Sequence, residues 1–295
     1  MLEFVTMPLE LPFFQRAMLA SGLAALVCAV VGTFVVLKGL AFMGDAVAHS
    51  SLAGMSVAFL FGGNVFWGAL AWAVPASLLI TLISQRAKLQ MDTAIGIIFA
   101  GGFALGIILM SRVDNYAANL FGLLFGNVLG VSWAEVLLIG VITAAVLLVI
   151  LALYKELLFT SYDLTVAAAS GIPVRFVGYL LPVLIGVTTV ASLKVVGIVL
   201  VLALLVTPAA TGTLLARRLP TIMAASTGVA LAATIAGLYL SFYLDLPTGP
   251  SIVMVATGLF GLALLVAPNR GVVWRWRRAG SLEAGKAGKA PELRT

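Results

Sequence analysis

Apolar residues run along this chain in blocks broken by short polar stretches, and nine blocks approach the length of about 20 residues needed to cross a bilayer. They fall roughly at 13–36, 42–61, 65–85, 92–111, 133–154, 174–192, 195–215, 221–243 and 249–268. The pattern predicts an all-α, polytopic membrane helix bundle of about eight to nine transmembrane helices. This transmembrane body takes up residues 1–270, and 271–295 reads as a basic, flexible cytoplasmic tail. Residues 112–132 are apolar enough to hide a further short or re-entrant helix. The opening MLEFVTMPLELPFFQR carries Glu3 and Glu10 and no basic run before a small-residue cleavage site, so the first span is expected to stay in place.

Composition sharpens the class. Of 295 residues, 62% are apolar and 9% charged, with a mean hydropathy of +1.18. Soluble folds run at about 45–50% apolar and about 25% charged, so both a soluble domain and intrinsic disorder are excluded. The formal charge is +6, and seven of the 17 Lys and Arg lie after Pro268. A basic tail beside an apolar span reads as a topology signal, not as a folded nucleic-acid face. Basic residues between spans fall at Arg86, Lys88, Lys155, Arg217 and Arg218, and continue in the tail at Arg270, Arg275, Arg277 and Arg278. With nine spans these share one side, which puts the C-terminus in the cytoplasm and the N-terminus outside. The lone Cys28 lies within an apolar run and reads as a small hydrophobe.

Small residues recur at four-residue spacing in Gly102 and Gly106 and in Gly122, Gly126 and Gly130, which suits close helix approach in lipid. Pro75, Pro182 and Pro208 lie inside spans and read as kinks.

Charges within spans cost about 2.5–3.5 kcal/mol each, so each needs a reason. Glu135 beside Trp133, Asp245 before a proline, and Lys194 between two apolar stretches can all reach the interface. Asp45 and His49 stand four residues apart in FMGDAVAHSSLAG, on one helix face. A carboxylate beside an imidazole is a usual ligand pair for a first-row divalent cation, and equally a pair that satisfies itself inside a bundle. Asp92, opening the fourth span, is a third oxygen ligand or a helix-start carboxylate. In YKELLFTSYDLTVAAASGIPVRF, Leu164 to Ser170 fit two helical turns closed by Gly171 and stopped by Pro173. That segment reads as a structured loop or as a docking helix for a soluble partner.

Several chemistries are ruled out. There is no phosphate-binding loop, so any ATP is bound by another polypeptide. One histidine cannot supply H-E-x-x-H, and no Gly-x-Ser-x-Gly-like setting or converging aspartate pair is evident.

Taken together, the chain resembles the permease subunits of the ABC-3 family, which import zinc, manganese or iron in bacteria. The resemblance spans about Phe13 to Pro268 and rests on FMGDAVAHSSLAG (42–54), MDTAIGIIFAGGFALGIILMS (91–111), LFGNVLGVS ending at Ser132, SYDLTVAAASGIPVR (161–175), VVGIVLVLALLVTPAATG (195–212) and SFYLDLPTGPSIVMVATGLF (241–260). It implies a non-enzymatic subunit of a multi-pass protein of the cell membrane. It implies Asp45 and His49, with Asp92, along the path of a transported divalent metal, with no permanently bound cofactor. It also implies an ATPase-coupling element that includes Ser161, Asp163, Ala168, Ser170, Gly171, Ile172 and Pro173. The implied partners are two cytoplasmic ABC ATPase subunits, an extracellular or periplasmic metal-binding protein and a second permease copy, a homodimer. The rivals are an ion-coupled secondary transporter using Asp45 and His49 as a relay, and a structural membrane protein in which polar pairs only lock helices together.

Overall fold

The computed structural model describes residues 7–112 and 128–267. Twelve helices are ordered as α1 (Pro12–Leu37), α2 (Ala41–Ser50), α3 (Leu52–Leu60), α4 (Val65–Ala87), α5 (Met91–Met110), α6 (Trp133–Ala152), α7 (Tyr154–Tyr162), α8 (Leu164–Ala169), α9 (Val174–Val196), α10 (Ile198–Leu215), α11 (Leu219–Leu244) and α12 (Thr248–Val266), with a 3-10 turn at Val128–Gly130. No strand occurs among the described residues. Among the described residues seven helices, α1, α4, α5, α6, α9, α11 and α12, are long and apolar enough to cross a membrane. The 18-residue α10 and the α2–α3 pair occupy the other two apolar blocks. The expected all-α bundle of eight to nine spans is the observed fold. The tail at 271–295, the glycines at 122 and 126 and any helix hidden within 113–127 lie outside the described residues.

One expectation needs correction. The block at 42–61 is not a single helix but two, meeting at Ser51. Ser51 keeps helical angles (φ −63°, ψ −15°), and its hydroxyl donates to the Ala48 carbonyl at 2.6 Å. Ser50 does the same to Val47 at 3.3 Å. Consecutive hydroxyls returning to the backbone compete with the helical ladder and bend it.

α1 is the central pillar, touching α6, α9, α10 and α11. Its sequence explains that place. Ala17, Ala20, Ser21, Ala24, Ala25, Cys28, Ala29, Gly32 and Thr33 are all buried, so small residues face every side and neighbours approach from all around. Its hydroxyls are satisfied within the helix, Ser21 donating to Ala17 at 2.6 Å and Thr33 to Ala29 at 2.9 Å. α2 and α3 pack on α5, α4 packs on α9, and α10 to α12 close the other flank. Large apolar side chains left outward on α6 and α12, such as Leu137, Leu148, Leu151 and Met254, form a lipid-facing surface. The three internal prolines lie where expected, in α4, α9 and α10.

The seam between α5 and the α2–α3 pair is a tight fit that positions the polar residues. A Cβ on Gly102 would sit 2.5 Å from the Ser50 Cβ, and one on Gly106 only 2.8 Å from the Ala53 nitrogen. Ser56 crosses the same seam, donating to the Gly106 carbonyl at 3.0 Å. Gly106→Val should therefore overpack this seam at about 1–3 kcal/mol. We expect a lower unfolding temperature and a reduced monodisperse yield in detergent, measured against a Gly258→Ala control, whose site has open space.

Candidate functional site

Three polar groupings stand out, one midway along the bundle, one at each end. On α2, His49 Nδ1 lies 3.2 Å from Asp45 Oδ1 and 3.0 Å from the Asp45 carbonyl oxygen. Both contacts are acceptors, so the hydrogen-bond network assigns the proton to Nδ1 and leaves the lone pair on Nε2. The imidazole is set edge-on to Phe99 and Phe103 of α5, at 5.4 and 5.7 Å between centroids, and these two rings stack on each other at 6.0 Å. Phenyl walls on one side and a carboxylate on the other fix the ring's orientation. Gly44, on the same helix, packs against Leu205 of α10, so α2 is wedged between α5 and the central helices.

Asp92 joins this neighbourhood without completing it. It stands in the first turn of α5 and lines a cleft of about 320 Å³ together with Asp45, Phe42 and Phe99. No group of three or more His, Cys, Asp or Glu side chains that could hold a metal exists among the described residues. One chain thus brings an Asp–His pair together and a further carboxylate to the same cleft, without gathering the three into the ligand set of a resident metal. Cys28 is fully buried, with its Sγ 3.4 Å from the Ser192 hydroxyl, and supplies no thiolate here.

At the end where α7 and α9 meet, the segment from Ser161 to Pro173 folds as its residues require. Asp163 breaks the chain direction (φ −152°, ψ 113°) and caps α8, its Oδ1 accepting from Thr165 N–H at 2.7 Å and Val166 N–H at 3.1 Å. The helix closes as a Schellman motif. Gly171 N–H donates to Ala168 and Ile172 N–H to Ala167, with Gly171 at φ +79°, the left-handed conformation that glycine takes without strain. Pro173 then opens α9. Ser161 turns inward to the Leu157 carbonyl at 2.6 Å, whereas Ala168, Ser170 and the apolar Tyr162, Leu164 and Val166 are exposed.

At the opposite end, Lys194 of α9 pairs with Glu135 of α6 at 3.1 Å, and its ammonium sits 5.9 Å from the Phe66 ring centre. Glu135 also completes a capping box with Ser132. Sequence reasoning sent both charges separately to the interface. The signal that could have joined them is their placement at the same end of two spans with opposite signs.

A bundle of apolar helices with one Asp–His pair, no nucleotide site and an exposed capped helix at one end has the form of a transporter's membrane subunit. A family model for the ABC 3 transport family matches residues 10–267. The manganese transport system membrane protein MntC of Halalkalibacterium halodurans is 41% identical over 279 residues, covering 94% of this chain and 96% of that protein. The manganese import system permease protein ScaB of Streptococcus gordonii is 37% identical over 268 residues, with 91% and 96% covered. The structure of PsaBC from Streptococcus pneumoniae in complex with Fab aligns at TM-score 0.82 with 35% identity, over 91% of this chain and 96% of that one. The chain belongs to the ABC 3 transport family. It is a multi-pass permease subunit, and ATP hydrolysis lies on a separate subunit, which leaves no support for the ion-coupled reading.

The two amide bonds, that from Val166 first, hold the Asp163 carboxyl below its usual range. A depressed carboxylate stabilises the fold above its unfolded value, near 4, and loses that contribution as pH falls through the lower folded value. Amide-exchange protection over 164–169 should hence be flat near neutral pH and fall only in strong acid. Asp163→Ala should speed exchange there several-fold at pH 7, and Asp163→Asn, which keeps a capping oxygen, much less.

Proposed function

We propose that this chain forms the cation path of an ATP-driven importer of divalent metal, with manganese as the first cargo to test and iron and zinc within the same ligand chemistry. The observation that carries the reading is the Asp45–His49 pair. Nδ1 is committed to Asp45, Nε2 is held at a fixed angle by two phenylalanines, and the carboxylate keeps one oxygen free of His49. Oxygen and imidazole donors without thiolate suit manganese, ferrous iron and zinc alike, so supply and geometry select among them. The manganese named for MntC and ScaB makes that metal the leading cargo.

Two ligands from one chain form half a site. In this proposal a second copy of the chain faces the first, and Asp45 and His49 of each converge on the ion, with Asp92 bordering the same cleft at the end nearer the Arg86 and Lys88 loop. Cytoplasmic ATPases dock on α8 through Ser161, Asp163, Ala168, Ser170, Gly171, Ile172 and Pro173. An extracellular or periplasmic binding protein delivers the metal to the opposite end. The capped, Schellman-closed α8 supports this role, since a short helix with fixed ends passes on a push without unwinding. The basic loops support a cytoplasmic C-terminus.

The test is ATP-dependent manganese uptake into vesicles that carry the chain with its ATPase. His49→Ala and Asp45→Asn should each lower uptake by roughly 10- to 100-fold at unchanged protein level. Unchanged uptake of manganese and zinc in both variants would move the cation path away from α2. Separately, Ala168→Glu, on the exposed face of α8, should reduce co-purification of the ATPase while leaving the detergent melting temperature of the isolated chain within about 1 °C of the parent, as a surface change does.

A further inference from the structure

Lys38 directly follows α1 and lies in a cavity of about 730 Å³ bounded by the ends of α1, α4, α7 and α9. Arg175 lines the same cavity. Neither cation has a carboxylate within 4.0 Å among the described residues. Lys38 Nζ has a single hydrogen-bond partner, the Thr160 hydroxyl at 3.3 Å, and that hydroxyl already donates to the Glu156 carbonyl at 2.8 Å. An ammonium with three donors is thus left with two unused in a half-buried position, and burial pushes Lys38 below the ordinary lysine value. Asp163 also borders the cavity, but its carboxylate is turned to the Thr165 and Val166 amides. Arg175 has no hydrogen-bond partner at all among the described residues, although arginine presents five donors suited to a phosphate.

We propose that this cavity binds the phosphate headgroup of an anionic phospholipid, held by Lys38 and Arg175 with the acyl chains leaving past the partly exposed Met91. The lipid source follows from position. The cavity opens where three apolar helices end beside the basic loop of Arg86 and Lys88, which is the level of a headgroup layer. Basic pockets between spans on that side are the usual form of a headgroup site. A second feature gives the site consequence, because Ser161 and Leu164 of the α7–α8 corner line it as well. A bound phosphate would brace that corner against the ends of α1 and α9. The inference rests on the membrane-spanning fold and on the proposed cytoplasmic side of the Arg86 and Lys88 loop, and neither the metal path nor its cargo enters it.

Native mass spectrometry of the detergent-solubilised full-length chain with its ATPase tests it, titrating phosphatidylglycerol, phosphatidylethanolamine and inorganic phosphate in parallel. Phosphatidylglycerol should bind about tenfold tighter than phosphatidylethanolamine, and Lys38→Gln combined with Arg175→Gln should abolish that preference. Lys38→Arg should keep it. If the double variant fails to fold, Arg175→Gln alone, at an exposed side chain, should still weaken phosphatidylglycerol binding several-fold. Equal binding of both lipids, or an unchanged preference in the folded variants, would overturn the proposal. So would inorganic phosphate displacing the lipid at low millimolar concentration, which would mark a free-anion site. Loss of ATPase co-purification with lipid binding intact would overturn it too, assigning the two cations to the ATPase instead.

Discussion

The structure depends on how closely its helices can approach one another without water. In lipid there is no hydrophobic gain in bringing two apolar helices together, so packing and hydrogen bonds across seams must hold them. α1 meets this with alanine, glycine, serine and threonine on every side. The α5 seam meets it with Gly102 and Gly106 against Ser50 and Ala53, closed by the Ser56 hydroxyl. That seam has a chemical outcome. Because α5 lies so near α2, Phe99 and Phe103 reach the His49 ring, and the histidine is held by apolar walls it could not find on its own helix.

Charge placement obeys the same constraint. Glu135 and Lys194 neutralise each other at one end of the bundle, and Asp163 is capped by amides at the other. Lys38, by contrast, has only the Thr160 hydroxyl as its partner. Asp45 and His49 are satisfied by one another, so the pair needs no metal to be stable in the fold. A transit site of the kind proposed would benefit from that. An empty path whose ligands were unpaired would have to be refilled or collapse after each ion left.

Much of this was legible in sequence for a physical reason. A span announces itself by length, so the nine apolar blocks map onto the helices, and Asp163, Gly171 and Pro173 are local punctuation whose effect does not depend on distant residues. The Asp45–His49 contact is likewise an i,i+4 relation within one helix. What escaped the sequence depended on long-range geometry or on hydroxyl rotation. The break at Ser51 arises from serine hydroxyls choosing backbone carbonyls, and the Glu135–Lys194 pair joins helices far apart in the chain. Asp92 stayed open in the sequence between an oxygen ligand and a helix-start carboxylate, because which groups it faces is decided by the packing of two helices, which sets it on the same cleft as Asp45.

The incomplete ligand set bears directly on how a transporter can let go of its ion. A closed cage of four ligands on one rigid body would bind divalent metal tightly and release it slowly. In the proposed dimer, the ligands are divided between two bodies, each with its Asp–His pair fixed by its own α5. Relative motion of the bodies then changes the number of ligands the ion feels, without any bond within either half being broken. Energy delivered through α8 has only to shift one half against the other. In that proposed arrangement the fixed setting of each His49 would convert the shift into a change in affinity, because a side chain free to follow the ion would keep its contact and cancel the effect.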